Sequence, residues 1–293
     1  MDERAALRLL GDRLDRAGDD AAVVDGTVVT TDMLHETTDF PDGTTRYTAG
    51  WRSVGASLSD VAAMGARATA AVAVYAAPSF DPDELGAFVD GTSEVCEVVG
   101  AEYVGGDLDG HEEFTVATTA LGETGSPVLR SGAEPGDTVC VTGTLGRSAA
   151  ALELFRSDET ERANELFRFT PRVAAGVALA PEATAMMDSS DGLARSLHQL
   201  AEASDCGFDV DASALPVDPA VRDVADDERE ALRLATTFGE DFELVCTVPA
   251  DRLAVAREAC PVDLTRLGVA TDGDVRLDGE PLADEGWTHG DAG

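Results

Sequence analysis

Helical and extended patterns of apolar residues alternate along nearly the whole chain. ERAALRLLGDRL spaces Leu7, Leu10 and Leu14 along one helical face, and GTVVTTDML is typical of a strand that runs into a polar end. WRSVGASLSDVAAMGA, which begins at Trp51, has small or apolar residues at helical spacing and Gly65 as its C-terminal stop. DELGAFVDGTSEVCEVVG predicts a further helix, while ATAAVAVYAAP, EYVGGD and FTVATTALGE predict strands.

A connector rich in turn residues, RSGAEPGD, covers residues 130–137 and divides this pattern in two. After it, the predicted strands TVCVTGTLG, TAMMD and FELVCTVP alternate with the predicted helices SAAALELF, LARSLHQLAEA and RLAVAREA. Alternating strands and helices predict an α/β architecture, and 293 residues are enough for two domains of ordinary size. We therefore predict two α/β domains, residues 1–130 and 131–293.

The charge of the chain excludes two classes of partner. There are 57 acidic and 21 basic residues, for a formal net charge of -36, and a field of that sign repels nucleic acid and anionic membranes. The acids are spread along the chain, which is typical of a folded surface in a high-salt cytoplasm. No segment approaches the roughly 20 apolar residues of a membrane span, and MDERAALRLL lacks a signal-peptide pattern. We expect a cytoplasmic, halophilic protein.

The basic residues are all arginine, and this narrows the possible chemistry. P-loop kinases, protein kinases, pyridoxal enzymes and Schiff-base aldolases all need a lysine, so these classes are excluded. The five cysteines form no CxxC pair, and no two of the four histidines have metal-ligand spacing, so neither a disulfide framework nor a zinc site is expected. Phosphate chemistry in this chain would have to use metal ions, arginine and backbone NH groups.

Several aspartates stand where a strand or helix meets a turn, within apolar or small-residue stretches. They are Asp19, Asp20, Asp32, Asp60, Asp107, Asp188 and Asp191. Asp60 falls in a helix of small and apolar residues, where a buried carboxylate either caps a backbone turn, becomes neutral or binds a cation. Mg²⁺ is suited to such a position because it binds carboxylates, water and substrate phosphates. The helix start in SSDGLARSL favours an anion, although it also suits an N-cap. Together these features predict a Mg²⁺–nucleotide site.

In chain order, GDDAAVV, TTDML, LSDVAAMGA, GGD, RSGAEPGD, VTGTLG, MDSSDGLA and GEDFEL resemble the motifs of the thiamine-monophosphate kinases. These enzymes belong to a superfamily that includes aminoimidazole ribonucleotide synthetase and selenophosphate synthetase. The resemblance implies a two-domain aminoimidazole ribonucleotide synthetase-like α/β (α+β) fold, with an N-terminal sheet and helices that form a homodimer and a C-terminal α/β domain. It also implies direct transfer of the ATP γ-phosphate to thiamine monophosphate, without a phospho-enzyme.

The same resemblance implies roles for individual residues. The implied ligands of several Mg²⁺ ions are Asp20, Thr30, Thr31, Asp32, Asp60, Asp107, Asp188 and Asp191. The implied nucleotide contacts are Gly106, Asp107, Arg130 and Ser190, and the implied thiamine contacts are Asp39, Glu240 and Trp287. Asp39 stands where the family usually has a histidine, and Leu108-Asp109 follow GGD where threonines are usual. No protein nucleophile or base is implied, so Asp32 and Asp60 are predicted to matter most, through Mg²⁺.

Three other interpretations stay open on the sequence alone. The chain could be another ATP-using enzyme of the superfamily, such as a selenophosphate synthetase-like or purine-synthesis enzyme. The former typically needs an N-terminal cysteine or selenocysteine and a lysine, whereas the first cysteine here is Cys96. The chain could also be a non-catalytic Mg²⁺–nucleotide-binding protein, or an acidic protein whose aspartates bind structural cations.

Overall fold

The computed structural model describes residues 10, 11, 13, 14 and 16–286, which form two β-sheets with helices. The first sheet contains β1 (Ala22–Val24), β2 (Thr27–His35), β3 (Arg67–Ala77), β4 (Glu102–Gly110) and β5 (Thr115–Glu123). Its strand order is β1-β2-β5-β3-β4, and only β3 and β4 pair in parallel among these five strands. The second sheet contains β6 (Thr138–Thr142), β7 (Ala185–Asp188), β8 (Gly207–Val210), β9 (Leu244–Val248), β10 (Leu264–Thr271), β11 (Arg276–Leu277) and β12 (Glu280–Pro281). Its order is β12-β11-β8-β10-β6-β9-β7.

The helices pack on and between these sheets. They are α1 (Glu36–Asp39), α2 (Arg46–Ala63), α3 (Pro82–Val99), α4 (Arg147–Arg156), α5 (Thr160–Phe167), α6 (Val173–Leu179), α7 (Leu193–Ser204), α8 (Pro219–Val224), α9 (Glu228–Thr237) and α10 (Leu253–Ala259). The predicted α/β class is therefore confirmed. Within the described residues, no helix has the length and apolar character that crossing a bilayer requires.

Helix α2 occupies the centre of the molecule. It begins after Thr45, whose side chain accepts a hydrogen bond from the backbone N of Thr48, and Gly65 with φ +63° follows its end as predicted. One side of α2 packs on β2, β3 and β5, and it also contacts α6 and β7. Leu58 and Val61 accordingly belong to a buried cluster that reaches strands of the second sheet. Residues near the C-terminal end of α2 therefore lie between the two sheets.

Small residues allow α2 and α3 to pack with their backbones in close approach. A Cβ atom on Gly91 would lie 2.1 Å from the carbonyl oxygen of Tyr47, and one on Gly50 would lie 2.4 Å from that of Phe88. Real Cβ atoms do not approach oxygen this closely, so only glycine fits at either position. The glycines at these positions thus determine how closely α2 and α3 pack.

Other sequence predictions match the described structure. TVVTTDML, ATAAVAVYAA, EYVGGD and FTVATTALGE form β2, β3, β4 and β5, and RSGAEPGD contains neither helix nor strand. Most of the helix predicted in ERAALRLLGDRL lies outside the described residues. The first sheet is built from residues 22–123 and the second from residues 138–281, while the domain boundary at residue 130 stays a prediction.

Candidate functional site

Three carboxylates from distant stretches of the chain meet between the two sheets. Asp20 precedes β1, Asp60 lies in the last turn of α2, and Asp188 ends β7. One carboxylate oxygen of each lies within 4.8 Å of those of the other two. Ligand oxygens around an octahedral Mg²⁺ lie roughly 3.0 Å (adjacent) to 4.2 Å (opposite) apart, so carboxylates this close together need only small side-chain shifts to bind the same ion. The metal triad Asp20–Asp60–Asp188 can therefore share one divalent cation.

Asp188 supplies independent evidence for a cation. Its side chain is buried, with 1 % of the residue surface exposed. Its Oδ1 atom accepts a hydrogen bond of 3.2 Å from the backbone N of Ser190. Among the described residues no hydrogen bond of normal geometry reaches Oδ2, although the Ser59 hydroxyl acts on this carboxylate and lowers its pKa. A buried carboxylate oxygen without a well-formed hydrogen bond is costly. Because oxygen is the ligand that Mg²⁺ prefers, the residues present fit this metal.

The electrostatics of the triad favour a bound positive charge. Burial, together with the Asp20 carboxylate, raises the pKa of Asp188 to about 6. The pKa of Asp60 lies well above its ordinary value, mainly because of burial and then because of Asp32, Asp188 and Asp20. The Thr30 hydroxyl donates to Asp60 Oδ2 at 2.5 Å and works in the opposite direction. The repulsion that favours protonation would equally be relieved by a divalent cation.

These pKa shifts predict how Mg²⁺ and pH act together on folding stability. Because the folded-state pKa of Asp188, about 6, lies above its ordinary value of 3.8, its contribution to stability is full below pH 3.8 and is lost as the pH rises through about 6. We expect the melting temperature in EDTA to fall between about pH 4 and pH 6, and saturating Mg²⁺ to remove most of that fall. Thermal denaturation at constant salt measures this. Equal slopes with and without Mg²⁺ would contradict it, and Asp188→Asn should flatten the EDTA curve.

Arg130 is the cation that lies against the triad. Its Nε and Nη2 atoms donate to the two carboxylate oxygens of Asp20 at 3.2 and 3.0 Å, and its backbone N donates to Asp19 Oδ1 at 2.9 Å. The Asp20 side chain is 1 % exposed and that of Arg130 is 23 % exposed. Burial lowers the pKa of Arg130, but Asp20, Asp188 and Asp60 together raise it above its ordinary value, so the guanidinium stays charged. A guanidinium held this way can also reach an anionic ligand at the rim.

A pocket of about 100 Å³ lies beside the triad. It is lined by Asp32, Met33, Leu34, Asp39, Ala56, Ser190, Asp191, Glu240 and Phe242. Asp32 Oδ2 accepts from the Ser57 hydroxyl at 2.5 Å, and Asp39 Oδ2 accepts from the backbone N of His35 at 2.7 Å. Two of the pocket residues interact directly with the triad. The Asp32 carboxylate raises the pKa of Asp60, and the backbone N of Ser190 donates a hydrogen bond to Asp188. Ten of the predicted site residues are thus brought to one region.

Three predicted residues lie elsewhere in the described structure. The Thr31 hydroxyl donates to the carbonyl oxygen of Thr118 at 2.7 Å, and Thr31 points to the face opposite that of its neighbour Thr30. Gly106 and Asp107 are on β4, at the far edge of the first sheet. Glycine at 106 also has a packing reason, because a Cβ there would lie 1.7 Å from the carbonyl oxygen of Ala73. Trp287 lies outside the described residues.

The register of the first sheet gives the separation between Asp32 and the β4 residues. Asp32 pairs with Thr118, Thr118 with Ala73, and Ala73 with Gly106. Three strand spacings make about 14 Å, which is too far for one metal ion to join carboxylates at both ends. Asp107 pairs with the exposed Val74 and therefore shares the sheet face that α2 does not cover. Within one chain, Asp107 does not join the metal triad.

Sequence reasoning missed Arg52, which is 2 % exposed and donates to Glu240 in the wall of the pocket. A signal was available, because Arg52 and Asp60 are the two charged residues in WRSVGASLSDVAAMGA. The ion pair between Arg172 and Glu243, with N–O distances of 2.7 and 2.5 Å, was also missed. Nothing in the sequence near Arg172 or near Glu243 predicts that these two residues pair.

Comparison with known proteins identifies the family of this chain. The family models of the AIR synthase related protein match over residues 18–124 for the N-terminal domain and residues 134–279 for the C-terminal domain. Thiamine-monophosphate kinase of Halobacterium salinarum is 66% identical over 292 residues, which cover 99% of this chain and 100% of that protein. The enzyme of that name from Methanospirillum hungatei is 37% identical over 300 residues, covering 99% of each. The solved structure of AaThiL complexed with AMPPCP and TMP has a TM-score of 0.89 and 28% identity, covering 98% of this chain and 97% of that one.

Proposed function

Because the chain belongs to the thiamine-monophosphate kinases, within the AIR synthase related proteins, we propose that it transfers the γ-phosphate of ATP to thiamine monophosphate with the help of Mg²⁺. The products are thiamine diphosphate and ADP. The observation that carries the proposal is the convergence of the metal triad and the Asp32 pocket in a chain of this family. The AaThiL structure, which is similar over almost the whole chain, holds both AMPPCP and TMP.

The metal part of the proposal assigns Asp20, Asp60 and Asp188 to the first cation, and Asp32 and Asp191, which line the adjoining pocket, to others. When bound, Mg²⁺ would supply the positive charge that neutralises the phosphates during transfer. The hydroxyls of Thr30 and Ser57 hold Asp60 and Asp32 in place by hydrogen bonds of 2.5 Å each. Because those bonds fix the carboxylate orientation, these hydroxyls act as orienting groups for the metal ligands.

The remaining roles fall to groups that contact the two substrates. Arg130 and the backbone N of Ser190 both donate to carboxylates of the triad, and we assign them to the phosphates of ATP. Asp39 and Glu240 line the pocket and suit the cationic thiazolium of the acceptor. The acceptor phosphate already carries an anionic oxygen, so no side chain has to remove a proton, and positioning supplies much of the rate. The roles of Trp287 and a cytoplasmic location stay predictions.

A homodimer is the second part of the proposal. Among the described residues, no helix covers one face of the first sheet, and on it Met33, Val72, Val74, Val104 and Leu121 are 37–58 % exposed. Cross-strand pairs place Met33 and Val74 in one row, through Ala117 between them. An apolar face of this kind marks an interface, and a second copy of the same face would cover it symmetrically.

The same dimer would complete the metal site. Asp107 cannot reach Asp32 within its own chain, because three strands separate them. Asp107 lies on the uncovered face beside Val74, where a second chain would pack. If Asp107 serves as a ligand of Mg²⁺ and ATP, it has to come from the partner chain.

A direct assay tests the proposed reaction. We expect ADP and thiamine diphosphate in equal amounts when the protein is incubated in high salt with ATP, Mg²⁺ and thiamine monophosphate. Product separation by chromatography measures both. ADP without thiamine diphosphate would favour another enzyme of the superfamily. No ADP would favour a non-catalytic binding protein, and EDTA serves as the control for metal dependence.

A further inference from the structure

Arg52 is a buried charge that joins α2 to the second half of the chain. Its Nη2 atom donates to Glu240 Oε2 at 3.0 Å, and its Nη1 atom donates to the carbonyl oxygen of Phe167 at 2.6 Å and to Ser148 Oγ at 3.3 Å. The guanidinium carbon lies 3.5 Å from the centre of the Phe167 ring. Because the side chain is 2 % exposed, it makes these contacts away from solvent. A planar guanidinium can donate these bonds from two separate nitrogens while its face lies on the Phe167 ring, which a compact ammonium cannot do.

The charge of Arg52 depends on the carboxylates around it. Burial lowers the pKa of Arg52, and Glu240, Asp241 and Asp39 oppose that effect. Two of these three, Glu240 and Asp39, line the pocket beside the metal triad. Since removing one partner of a buried ion pair leaves the other charge uncompensated, the Arg52 guanidinium and the Glu240 carboxylate are energetically coupled.

The backbone around Glu240 is held in an unusual conformation. Glu240 and Phe242 have φ values of +57° and +54°, which are uncommon for residues with a side chain. The backbone N of Glu240 donates to Ser190 O at 2.6 Å, and its carbonyl oxygen accepts from Ser148 Oγ at 2.6 Å. The Asp241 carboxylate accepts from the backbone N atoms of Gly146 and Ser148 at the start of α4. Asp241 thus anchors the segment, while Glu240 and Phe242 line the pocket.

We propose that Arg52 is a positioning residue that holds the Glu240 carboxylate in the pocket wall and thereby sets the affinity for the thiamine part of the acceptor. The inference rests on the proposed function and deepens it. Arg52 acts through Glu240, because Glu240 lines the pocket and Arg52, which donates to it from behind, does not. Arg130 and the metal triad are held by separate contacts, so ATP binding should be almost independent of Arg52.

The kinetic test separates the two substrates. We expect Arg52→Met to raise the KM for thiamine monophosphate by about 10- to 100-fold, because a hydrogen bond to a charged group is lost, while the KM for ATP changes less than about twofold. Arg52→Lys should recover part of the loss because it keeps the charge. Arg252→Met is the matched control, since it removes an exposed two-bond pair with Glu182 and should alter neither KM. Equal rises in both KM values would overturn the inference.

A double-mutant cycle tests whether Arg52 acts through Glu240. If it does, Arg52→Met combined with Glu240→Gln should raise the KM for thiamine monophosphate no more than the worse single variant. Additive effects would overturn the inference. Should Arg52→Met fail to fold in high salt, the cycle is run with Arg52→Lys. A wild-type protein that makes no thiamine diphosphate would defeat the proposed function, whereas an active wild type with an unchanged KM in the Arg52 variants would defeat this inference alone.

Discussion

Replacing Asp60 by asparagine is expected to lower the kcat/KM of thiamine diphosphate formation by about 10³-fold or more. Asp60 contributes one of the three carboxylates of the metal triad, and the charge of Asp32 in the adjoining pocket raises its pKa. An amide keeps the shape of the side chain and can still accept the hydrogen bond from Thr30. The loss would therefore report the missing negative charge. Steady-state assays over a range of Mg²⁺ concentrations measure it.

The same substitution should move stability in the opposite direction. Because the pKa of Asp60 is raised by burial and by neighbouring carboxylates, its charge destabilises the folded protein when no cation is bound. We expect Asp60→Asn to melt at or above the wild-type temperature in EDTA and to gain much less from added Mg²⁺. A variant that melts at or above the wild-type temperature is folded, so its lost activity would come from the metal site and not from misfolding.

Asp218→Asn is the matched control for Asp60→Asn. Asp218 is also buried, but its carboxylate caps α8 through Ala220 N and accepts from Thr144. Asparagine caps helices about as well as aspartate, so activity should stay within about twofold of the wild type. Activity of Asp60→Asn within about tenfold of the wild type would refute the metal triad as the site of phosphoryl transfer.

Mixing two inactive variants, Asp32→Asn and Asp107→Asn, is expected to restore about a quarter of wild-type activity if Asp107 acts across the dimer interface. Co-refolding equal amounts makes about half of the dimers mixed, and each mixed dimer has one site in which both aspartates are intact. The measurement is the rate of thiamine diphosphate formation before and after co-refolding in high salt. The physical reason is the separation of about 14 Å between these positions within one chain.

The structure offers a matched control for this experiment. Asp32 and Asp60 belong to one chain's site, because the Asp32 carboxylate acts directly on Asp60. A mixture of Asp32→Asn and Asp60→Asn therefore has a defect in every site and should stay inactive. If Asp32→Asn with Asp107→Asn stays equally inactive although mixed dimers form, Asp107 does not act from the partner chain.

Much of the first half of the fold could be predicted because its signals are local. Strands β2, β3 and β5 show as extended apolar stretches, and the end of α2 shows at Gly65. Asp60 could be singled out because it is an acid among small residues in a helix. The same contrast marks Arg52, and it was overlooked because its partners, Glu240 and Phe167, are far away in the sequence.

Other parts of the site could not be predicted because they depend on register and facing. Thr30 and Thr31 are neighbours in the sequence, yet alternate side chains of a strand point to opposite faces, so that only Thr30 reaches Asp60. Asp107 carries the same carboxylate as Asp32, but strand order places it at the far edge of the sheet. No spacing along the chain contains this information.

The sequence by itself determined the available chemistry: many aspartates, no lysine, and motifs of one kinase family. Residue content and short motifs can be read from the sequence without any knowledge of the fold. Only the tertiary structure decided that Asp20, Asp60 and Asp188 share one place, that one oxygen of Asp188 accepts no hydrogen bond of normal geometry in the described chain, and that Arg52 stands behind Glu240. Cation binding and the coupling of buried charges depend on separations of a few ångströms, and packing alone sets those separations.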